Sequence, residues 1–476
     1  MMDTMIAENG VTFKELEKNI FMNICRIGQE CTKELLERTD RQIREQRDKK
    51  AYRHKGTRRT TVKTVYGEVT YERAVYEHKD EHGLREFVYL LDEALDMGQV
   101  GLVSQNLAEQ MVKEATERSY RECARRISEI SGQGISASGV WNVIQQLGKK
   151  VRREENELVC AHKAGHVNGT KEAPVLFEET DGVYLSLQGK DRRQQRQKKG
   201  ELKVGLAYAG WKDDGQGRYS LEGKVVTAGF YCSKEFQAVR EAQIARQYDM
   251  DETQIRLLNA DGAGWIRNIR DDETYFQLDP FHKYKAIRGK IACPEAAGAV
   301  RDLLDQGKLD EMFRYLELYR DSLSEEKEID NANALITYFR ENENGLIPYE
   351  KRGLILPQNP EGLEYRGMGT MENHIWSVIA RRMKHNHSSW SRKGGDNLAS
   401  ILAKKCSGRL DEVTGKAESP LFSTADEEEI MGKVIMSCKV PKTDGKGYAY
   451  PASGHFPALD AAICGERRKL LVMSGF

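Results

Sequence analysis

The stretch PVLFEETDGVYLSLQG, Pro174 to Gly189, is typical of a β-strand, yet acidic residues lie at its centre. Side chains alternate between the two faces of a strand. One face would therefore carry Val175, Phe177, Glu179, Asp181, Val183, Leu185 and Leu187. Most of these residues are apolar, so this face is expected to pack against the interior, where an unpaired charge is costly. The carboxylate of Asp181 on this face therefore requires a partner.

The bulk composition is that of a globular protein without a membrane segment. The chain has 476 residues, of which 39% are hydrophobic and 31% charged, and its length suggests about three domains. It contains no run of about 18 apolar residues, and the N-terminus MMDTMIAENG lacks the plan of a signal peptide. The nine Cys are scattered, without a CxxC pair. This pattern predicts reduced thiols and a cytoplasmic location.

The charges are balanced overall but clustered locally. A net charge of zero argues against a uniformly basic nucleic-acid binder. Ten Lys or Arg residues nevertheless stand against two acidic residues in 41–63, seven against two in 190–203, and five against none in 381–393. A solvated helix face is the ordinary explanation of one such run, whereas three separate runs favour a polyanionic partner.

The N-terminal part is predicted to be mainly helical, with one hairpin. Residues 13–50 repeat apolar positions at helical spacing. The stretch RRTTVKTVYGEVTYERAVYE, residues 58–77, alternates apolar and polar residues around Gly67 and predicts a β-hairpin with Gly67 in the turn. In residues 119–154, a first helix ends near Ser131, and Ser136 or Ser138 can cap a second one.

The second of these helices carries three polar side chains beside its apolar face: Asn142, Gln145 and Gln146. Two short helices around a glycine-containing turn are compatible with a helix-turn-helix that reads DNA. They are equally compatible with an ordinary αα-hairpin of a helical domain.

The middle of the chain predicts a mixed α/β sheet. Three strand-like segments in 174–232 precede a helix in 234–248, and a fourth and a fifth strand follow in 254–287. Residues 283–364 are predicted to be wholly helical, and a last helix is predicted to start near Thr370.

Two further carboxylates point toward the layer predicted for Asp181. Asp261, in LLNADGAGW, closes the fourth strand, although an Asp–Gly pair at a strand end is also a common turn. Glu372 falls in the first turn of the last helix, where the helix dipole favours a negative charge. The helical period places Glu372 on an apolar stripe with Ile375, Trp376, Ile379 and Met383.

Buried carboxylates that repel one another need a countercharge, and a divalent cation such as Mg²⁺ or Mn²⁺ supplies it. Two such ions, roughly 3.5–4 Å apart, would hold the attacking and leaving oxygens of a displacement at phosphorus. The chain contains no GxxxxGK[ST], GxSxG or HExxH motif that would indicate another chemistry.

Asp181, Asp261 and Glu372, in this order of strands and helices, resemble the DDE triad of RNase H-like transposases. More narrowly, the chain resembles the bacterial insertion-sequence transposases of the ISLre type, distant relatives of the Mutator-like group. The resemblance extends over roughly Thr60 to Ala403. Its motifs are RRTTVKTVYGEVTYERAVY, ETDGVYLSLQG, NADGAGWI, LDPFHKYK, GMGTMENHIWSVIARRMK and SSWSRKGGDNLA.

The resemblance implies a division of the chain. The implied N-terminal regions are a helical segment (1–55), a hairpin-containing DNA-binding region (56–100) and a helix-turn-helix region (101–160). An RNase H-like core (170–290 and 366–415) would follow, interrupted by a helical insertion (291–365). The chain would end in a C-terminal tail of unknown role (416–476).

The resemblance also implies roles for residues. Asp181, Asp261 and Glu372 would be catalytic metal ligands, with two Mg²⁺ or Mn²⁺ ions in one site. The motif DPFH matches an element of Mutator-like enzymes, so His282 would shape the active site or contact DNA, the alternative being a structural histidine. The predicted DNA contacts are Arg58, Arg59, Lys63, Asn142, Gln145, Gln146, Arg192, Arg193, His282, Arg381, Arg382, Lys384, Trp390 and Lys393.

The activity implied is metal-dependent cleavage at terminal inverted repeats, followed by attack of the freed 3′-OH on target DNA. Pairing two DNA ends would require a homodimer or a larger assembly. Two alternatives stay open: an RNase H-like nuclease or resolvase that cuts without joining, and a domesticated regulator that only binds DNA.

Overall fold

The computed structural model describes residues 11–79, 83–95, 103–194, 197–267, 274–385, 388–415 and 424–437. Of the predicted C-terminal tail beyond 415, it describes only the helix Thr424–Ser437. The rest of that tail lies outside the described residues, as do residues 1–10.

A long helix and a small antiparallel sheet form the N-terminal region. The elements are α1 (Phe13–Gln46), β1 (Arg53–Thr64), β2 (Gly67–Lys79), β3 (Arg85–Val88) and α2 (Leu90–Ala94). The predicted hairpin is confirmed, with Gly67 at a φ of +132° in its turn. Its apolar face packs on Leu36 of α1.

The predicted helix pair is present but belongs to the central domain. Three helices follow the small sheet: α3 (Gln105–Glu117), α4 (Tyr120–Ser131) and α5 (Ala137–Lys163). Gly132 ends α4 with a φ of +68°, and Ser136 caps α5 through the N–H of Gly139. However, α5 is 27 residues long, and its apolar face shares one core with the central sheet. It is therefore not one of two short helices standing apart from the sheet.

A five-stranded mixed sheet lies at the centre, as predicted. The elements in this part are β4 (Val175–Ser186), α6 (Gly189–Gln194), β5 (Lys199–Tyr208), β6 (Gly210–Asp213), β7 (Tyr219–Glu222), β8 (Val225–Gly229), α7 (Ser233–Gln247), β9 (Ile255–Ala260), α8 (Gly264–Arg267) and β10 (Thr274–Leu278). The strand order is β10-β9-β4-β5-β8. β5 and β8 extend the sheet in antiparallel fashion, whereas β4, β9 and β10 run parallel. The third predicted strand is divided, because β7 pairs with β6 in a separate ribbon and only β8 joins the sheet.

Both faces of β4 are covered, so both sets of alternating side chains are buried along its first half. The face of Phe177 and Val183 packs in the core that contains α5. The face of Leu176 packs against Ile244 of α7. A charge on either face of β4 is thus withdrawn from water and must be balanced within the protein.

The predicted helical insertion is present, with α10 (Pro294–Asp305), α11 (Leu309–Ser322) and α12 (Glu326–Glu341). It is preceded by α9 (Pro280–Lys290), so the fifth strand, predicted to run on to 287, ends at Leu278, because Asp279 caps a helix there. These helices share a second core with β9 and β10. The prediction of helix as far as 364 was wrong, since residues 352–370 contain no helix. Pro357, Pro360 and four glycines in this segment disfavour a helix, and Glu364 pairs instead with Trp211.

The segment after Thr370 is helical in three pieces and is not the last helix. α13 (Met371–His374) continues through a π-helical stretch (Ile375–Ala380) into α14 (Arg381–Met383). Trp376, predicted on the buried stripe, is 51% exposed. The other apolar residues of the predicted stripe, Ile375, Ile379 and Met383, are buried, so among these only Trp376 departs from the prediction.

Three helices follow: α15 (Arg392–Cys406), α16 (Asp411–Thr414) and α17 (Thr424–Ser437). Among all helices within the described ranges, none is both long and apolar enough to cross a membrane.

Candidate metal centre

Asp181, His282 and Glu372 converge on the interior face of the sheet. The Nε2 atom of His282 lies 3.5 Å from Oδ2 of Asp181 and 3.9 Å from Oε1 of Glu372. One potential ligand atom from each residue lies within 4.8 Å of the other two. The sequence predicted two of these residues as metal ligands, whereas His282 was predicted to shape the site or contact DNA.

Each of the three side chains comes from a different element. Asp181 lies within β4, is 8% exposed, and accepts a hydrogen bond from the N–H of Gly182 at 2.6 Å. His282 lies in the first turn of α9, and the side chain of Glu372, in the first turn of α13, is 44% exposed. The site is therefore closed by the sheet on one side and open to solvent at Glu372.

Asp261 lies beside this group but is not part of it. It follows β9, and its Oδ1 accepts a hydrogen bond from the N–H of Ala263 at 2.8 Å across a turn in which Gly262 has a φ of +75°. This is the Asp–Gly turn that the sequence left open as an alternative. Burial raises the pKa of Asp261, the bond from Ala263 opposes this, and the negative charge of Asp181 raises it further. Asp261 thus belongs to the same electrostatic environment.

The described residues place no permanent cation beside these carboxylates. No Lys or Arg nitrogen in that part of the chain lies within 4.0 Å of a carboxylate oxygen of Asp181, Asp261 or Glu372. There, the ion-pair partner of Asp181 and Glu372 is His282. Burial acts to lower the pKa of His282, but the hydrogen bond and negative charge of Asp181 outweigh it, and the pKa is raised.

The donor set fits a divalent metal ion. Two carboxylates and one imidazole are common ligands of divalent metals, and carboxylate oxygens are the groups preferred by Mg²⁺ and Mn²⁺. The Nε2 atom of His282 is buried and faces the carboxylates of Asp181 and Glu372, at 3.5 and 3.9 Å, so one ion could be bound by all three groups. The Asp181–His282–Glu372 cluster can therefore hold a metal ion.

Glu179, two residues before Asp181, is engaged in a different way. It is fully buried, and its oxygens accept hydrogen bonds from Tyr208 at 2.7 Å and from Asn259 at 3.1 Å. They also accept bonds from the first residues of the helix segment that carries Glu372. Burial raises the pKa of Glu179, and these donors oppose the shift. The sequence placed Glu179 on the correct face, but its partner is a helix start.

A cavity of about 630 Å³ opens next to the metal cluster, between β9 and the helical insertion. Asp261 and His282 line its inner end, Tyr338 forms part of its wall, and Lys285 and Lys290 supply positive charge. The hydroxyl of Tyr338 donates to the backbone carbonyl of Asp261 at 2.8 Å, which ties the insertion to the site. A substrate larger than a metal ion can thus approach the carboxylates from this side.

The predicted DNA contacts divide into accessible and engaged side chains. The exposed ones are Arg58, Arg59, Asn142, Gln146, Arg192, Arg193, Arg381, Lys384 and Lys393. Among these, Arg381 is paired with Glu117. Two other predicted contacts are bonded within the protein: Lys63 pairs with Glu68 at 2.8 Å, and Gln145 accepts from Asn397 at 2.8 Å.

Arg382 and Trp390 are buried, contrary to their prediction as accessible DNA contacts. The guanidinium of Arg382 donates to the carbonyl of Ala115 at 2.6 Å, and the indole of Trp390 donates to the carbonyl of Met383 at 2.8 Å. The sequence showed a basic run here but could not reveal that α3 packs over it.

Two basic clusters that are distant in sequence meet in space. The backbone of Gln188 donates to the carbonyl of Trp390 at 2.9 Å, and Asp191 accepts from the N–H of Arg392 at 2.8 Å. The exposed side chains of 190–193 therefore lie beside those of 392–393, at the end of the strand that contains Asp181. No local pattern in the sequence indicates this contact between the two basic clusters.

Comparison with known proteins gives a family. The model of the Uncharacterised protein family (UPF0236) matches residues 6–417, which is most of the chain, so the chain belongs to this family. A UPF0236 protein of Caldanaerobacter subterraneus subsp. tengcongensis, named for eleven loci, is 24% identical over 423 residues, covering 86% of this chain and 81% of the relative. Another from the same organism, named for four loci, is 23% identical over 417 residues, covering 86% and 81%. Many copies of such proteins are thus encoded in one genome.

Proposed function

We propose that this member of the UPF0236 family is the DNA transposase of an insertion sequence. The observation that carries the proposal is the cluster of Asp181, His282 and Glu372, with Asp261 beside it, on a mixed sheet whose described residues pair no Lys or Arg with these acids. A partly buried group of acids that faces no permanent cation among the described residues is suited to divalent ions, and through them to phosphate, and is poorly suited to a purely structural role.

The relatives support a mobile element. A protein repeated at eleven loci of one genome, with a related one at four, is expected if the gene copies itself or moves. Many gene copies in one genome are not expected for a DNA-binding regulator or a housekeeping nuclease. The two UPF0236 relatives carry no activity in their names, so the reaction is inferred from the site of this chain.

The residues would divide the chemistry as follows. Asp181, His282 and Glu372 would hold the divalent ion, and Asp261, whose charge interacts with that of Asp181, would contribute to a second one. Mg²⁺ or Mn²⁺, when bound, activates the attacking oxygen and stabilises charge at the phosphorus. The exposed Arg192, Arg193 and Lys393 bind the phosphate backbone of a DNA end.

Two features extend the proposal beyond one chain. Cleavage at both ends of an element and their joining to one target require two active sites, so we expect a homodimer or a larger assembly on DNA. The hairpin strand β1 presents the exposed Arg58 and Arg59, which would bind the terminal repeats.

The test is cleavage and joining with purified protein. The substrate is a DNA fragment that carries the gene with its natural flanks, incubated with Mg²⁺ or Mn²⁺. Cleavage at the element boundaries that is abolished in Asp181→Asn, and joining of precleaved ends to a second DNA, would support a transposase. Cleavage without joining would favour a nuclease or resolvase, and binding without metal-dependent cleavage would favour a regulator.

A further inference from the structure

The start of the helix that carries Glu372 is held by a residue of the central strand. The oxygens of Glu179 accept hydrogen bonds from the N–H groups of Thr370 and Met371 at 3.0 and 3.1 Å, and from the hydroxyl of Thr370 at 2.6 Å. The first N–H groups of a helix lack partners within the helix, and a side chain at the cap position usually satisfies them. Here the hydroxyl of Thr370 does not cap its own helix but donates to Glu179. A strand residue 191 positions earlier supplies the cap.

Two further donors fix the carboxylate of Glu179 itself. The hydroxyl of Tyr208, on the neighbouring strand β5, donates at 2.7 Å, and the amide of Asn259, on β9, donates at 3.1 Å. Glu179 accepts all five of these hydrogen bonds and donates none of them. Its carboxylate therefore connects three adjacent strands to the start of α13.

The same amide reaches the other helix of the cluster. Nδ2 of Asn259 also donates to Oδ2 of Asp279 at 2.7 Å. Asp279 caps α9 by accepting the N–H of His282 at 3.2 Å. Glu179, Asn259 and Asp279 are 0%, 0% and 4% exposed, so this chain of bonds lies in the interior.

We propose that Glu179 is a positioning residue, which fixes Glu372 and, through Asn259 and Asp279, His282 at the distances from Asp181 that bind a divalent ion. The proposal rests on the proposed function only for the reaction that the ion serves, because ion binding can be measured without DNA. Glu179 lies two residues from Asp181 on the same face of β4, so the strand that carries one ligand also holds the helix that carries another.

The test compares two adjacent glutamates. Glu179→Gln places an NH₂ group among donors that previously faced only oxygens, so the start of α13 must shift. Glu178→Gln is the matched control, since Glu178 is equally buried but faces Arg256 and Arg240 on the opposite side of the sheet. Mn²⁺ affinity of the full chain is measured by electron paramagnetic resonance, and Mn²⁺-dependent cleavage of flank-containing DNA is measured in parallel.

We expect Glu179→Gln to weaken Mn²⁺ binding by roughly 10–100-fold, as for other residues that orient metal ligands. Glu178→Gln is expected to lower the melting temperature and keep the Mn²⁺ affinity of the unchanged protein. Equal Mn²⁺ affinity in Glu179→Gln and the unchanged protein would overturn the proposal. Mn²⁺ binding that survives Asp181→Asn would overturn it too, because the ion would then lie elsewhere.

Two variants of Thr370 test the same proposal if Glu179→Gln does not fold. Thr370→Val removes the hydroxyl that donates to Glu179 and preserves the branched shape, whereas Thr370→Ser retains the hydroxyl. Weaker Mn²⁺ binding in Thr370→Val with recovery in Thr370→Ser would support the role of Glu179, and equal binding in both would contradict it. A protein that binds Mn²⁺ in this Glu179-dependent way but never cuts DNA would refute the proposed function and leave the positioning role intact.

Discussion

The two faces of β4 carry buried acids in contrasting surroundings. On the α7 face, Glu178 lies 2.7 Å from Nε of Arg256 and 3.4 Å from Nη2 of Arg240. Glu241 completes the group, with contacts to Arg256 at 2.9 Å and Arg240 at 2.8 Å. Two carboxylates and two guanidiniums thus balance one another without any ion from outside.

On the opposite face, three residues further along the strand, Asp181 has only His282 as an ion-pair partner within the described residues. Glu372 and Asp261 add negative charge nearby. Within the described residues, the strand therefore has an acid paired with arginines on one face and an acid paired only with a histidine on the other. This difference fits the metal site proposed at Asp181.

Substitutions on the two faces of β4 should differ most in their effect on DNA cleavage. Asp181→Asn should reduce metal-dependent DNA cleavage by about 10³-fold or more, since loss of a metal ligand removes several kcal/mol of transition-state stabilisation. Glu178→Gln should cleave within about threefold of the unchanged protein at temperatures where it is folded, because its contacts lie on the other face.

Cleavage rates on one labelled DNA substrate, with melting curves for both variants, make this comparison. A loss of cleavage in Glu178→Gln as large as that in Asp181→Asn, in fully folded protein, would show that the two faces do not act separately.

The next effect concerns stability and contrasts two arginines of α7. Arg240→Met leaves Glu178 and Glu241 buried with one guanidinium between them, and should cost about 3–5 kcal/mol of unfolding free energy. Arg246→Met, in the same helix, removes a half-exposed pair with Glu412 and should cost about 0–1 kcal/mol. Urea denaturation of both variants measures the difference. Similar costs for the two would mean that the buried cluster is no more important than a surface pair.

The sequence was sufficient to predict the strand, its buried face and the presence of acids on it. Alternation alone identified Glu179 and Asp181 as buried, and both are. The predicted helix start near Glu372 is confirmed, but the helical period placed Glu372 on the buried stripe, whereas its side chain is 44% exposed. These are local properties, which depend on neighbours within one turn or one strand.

The features of the site that the sequence did not predict depend on contacts between distant segments of the chain. Glu179 meets Thr370 across 191 positions, and nothing in either local pattern indicates that contact. The π-helical stretch Ile375–Ala380 also cannot be recognised from apolar spacing, which assumes α-helical turns. His282 follows a helix-capping Asp279, a local signal for a helix start but not for a ligand.

A third buried acid, Glu155, predicts a pH dependence of stability that differs from that of the arginine-paired acids. Burial raises the pKa of Glu155 from 4.5 to about 7, against the hydrogen bond from Tyr231 and the charge of Arg152. In contrast, burial also acts to raise the pKa of Glu241, but the charges of Arg240 and Arg256 lower it well below its usual range. Whether the pKa of a buried glutamate is raised or lowered therefore depends on close pairing with guanidinium groups and not on burial alone.

The sign of the pH effect follows from the folded state's higher proton affinity. Since the pKa of Glu155 is raised on folding, its contribution to stability is full below pH 4.5 and is lost as the pH rises toward 7. At about 1.4 kcal/mol per pKa unit, the loss amounts to roughly 3 kcal/mol. Glu155→Gln should abolish this component, so its stability relative to the unchanged protein should rise between pH 4.5 and 7. Denaturation at a series of pH values tests this, with the exposed Glu157→Gln of the same helix as the control profile.

The smallest effect tests the central difference directly, by adding and removing metal. A ligand that binds only the folded state at 100 times its dissociation constant adds about 2.7 kcal/mol of stability. Mn²⁺ should therefore raise the unfolding free energy of the unchanged protein and of Arg246→Met by this amount, and chelation should reverse it. Asp181→Asn should gain nothing from Mn²⁺. Without metal, it should be as stable as the unchanged protein or more so, because one of the mutually repelling carboxylates has become neutral. If Mn²⁺ stabilised Asp181→Asn equally, the unbalanced charge on this face of β4 would not be a metal site, and the contrast between the two faces would lose its functional meaning.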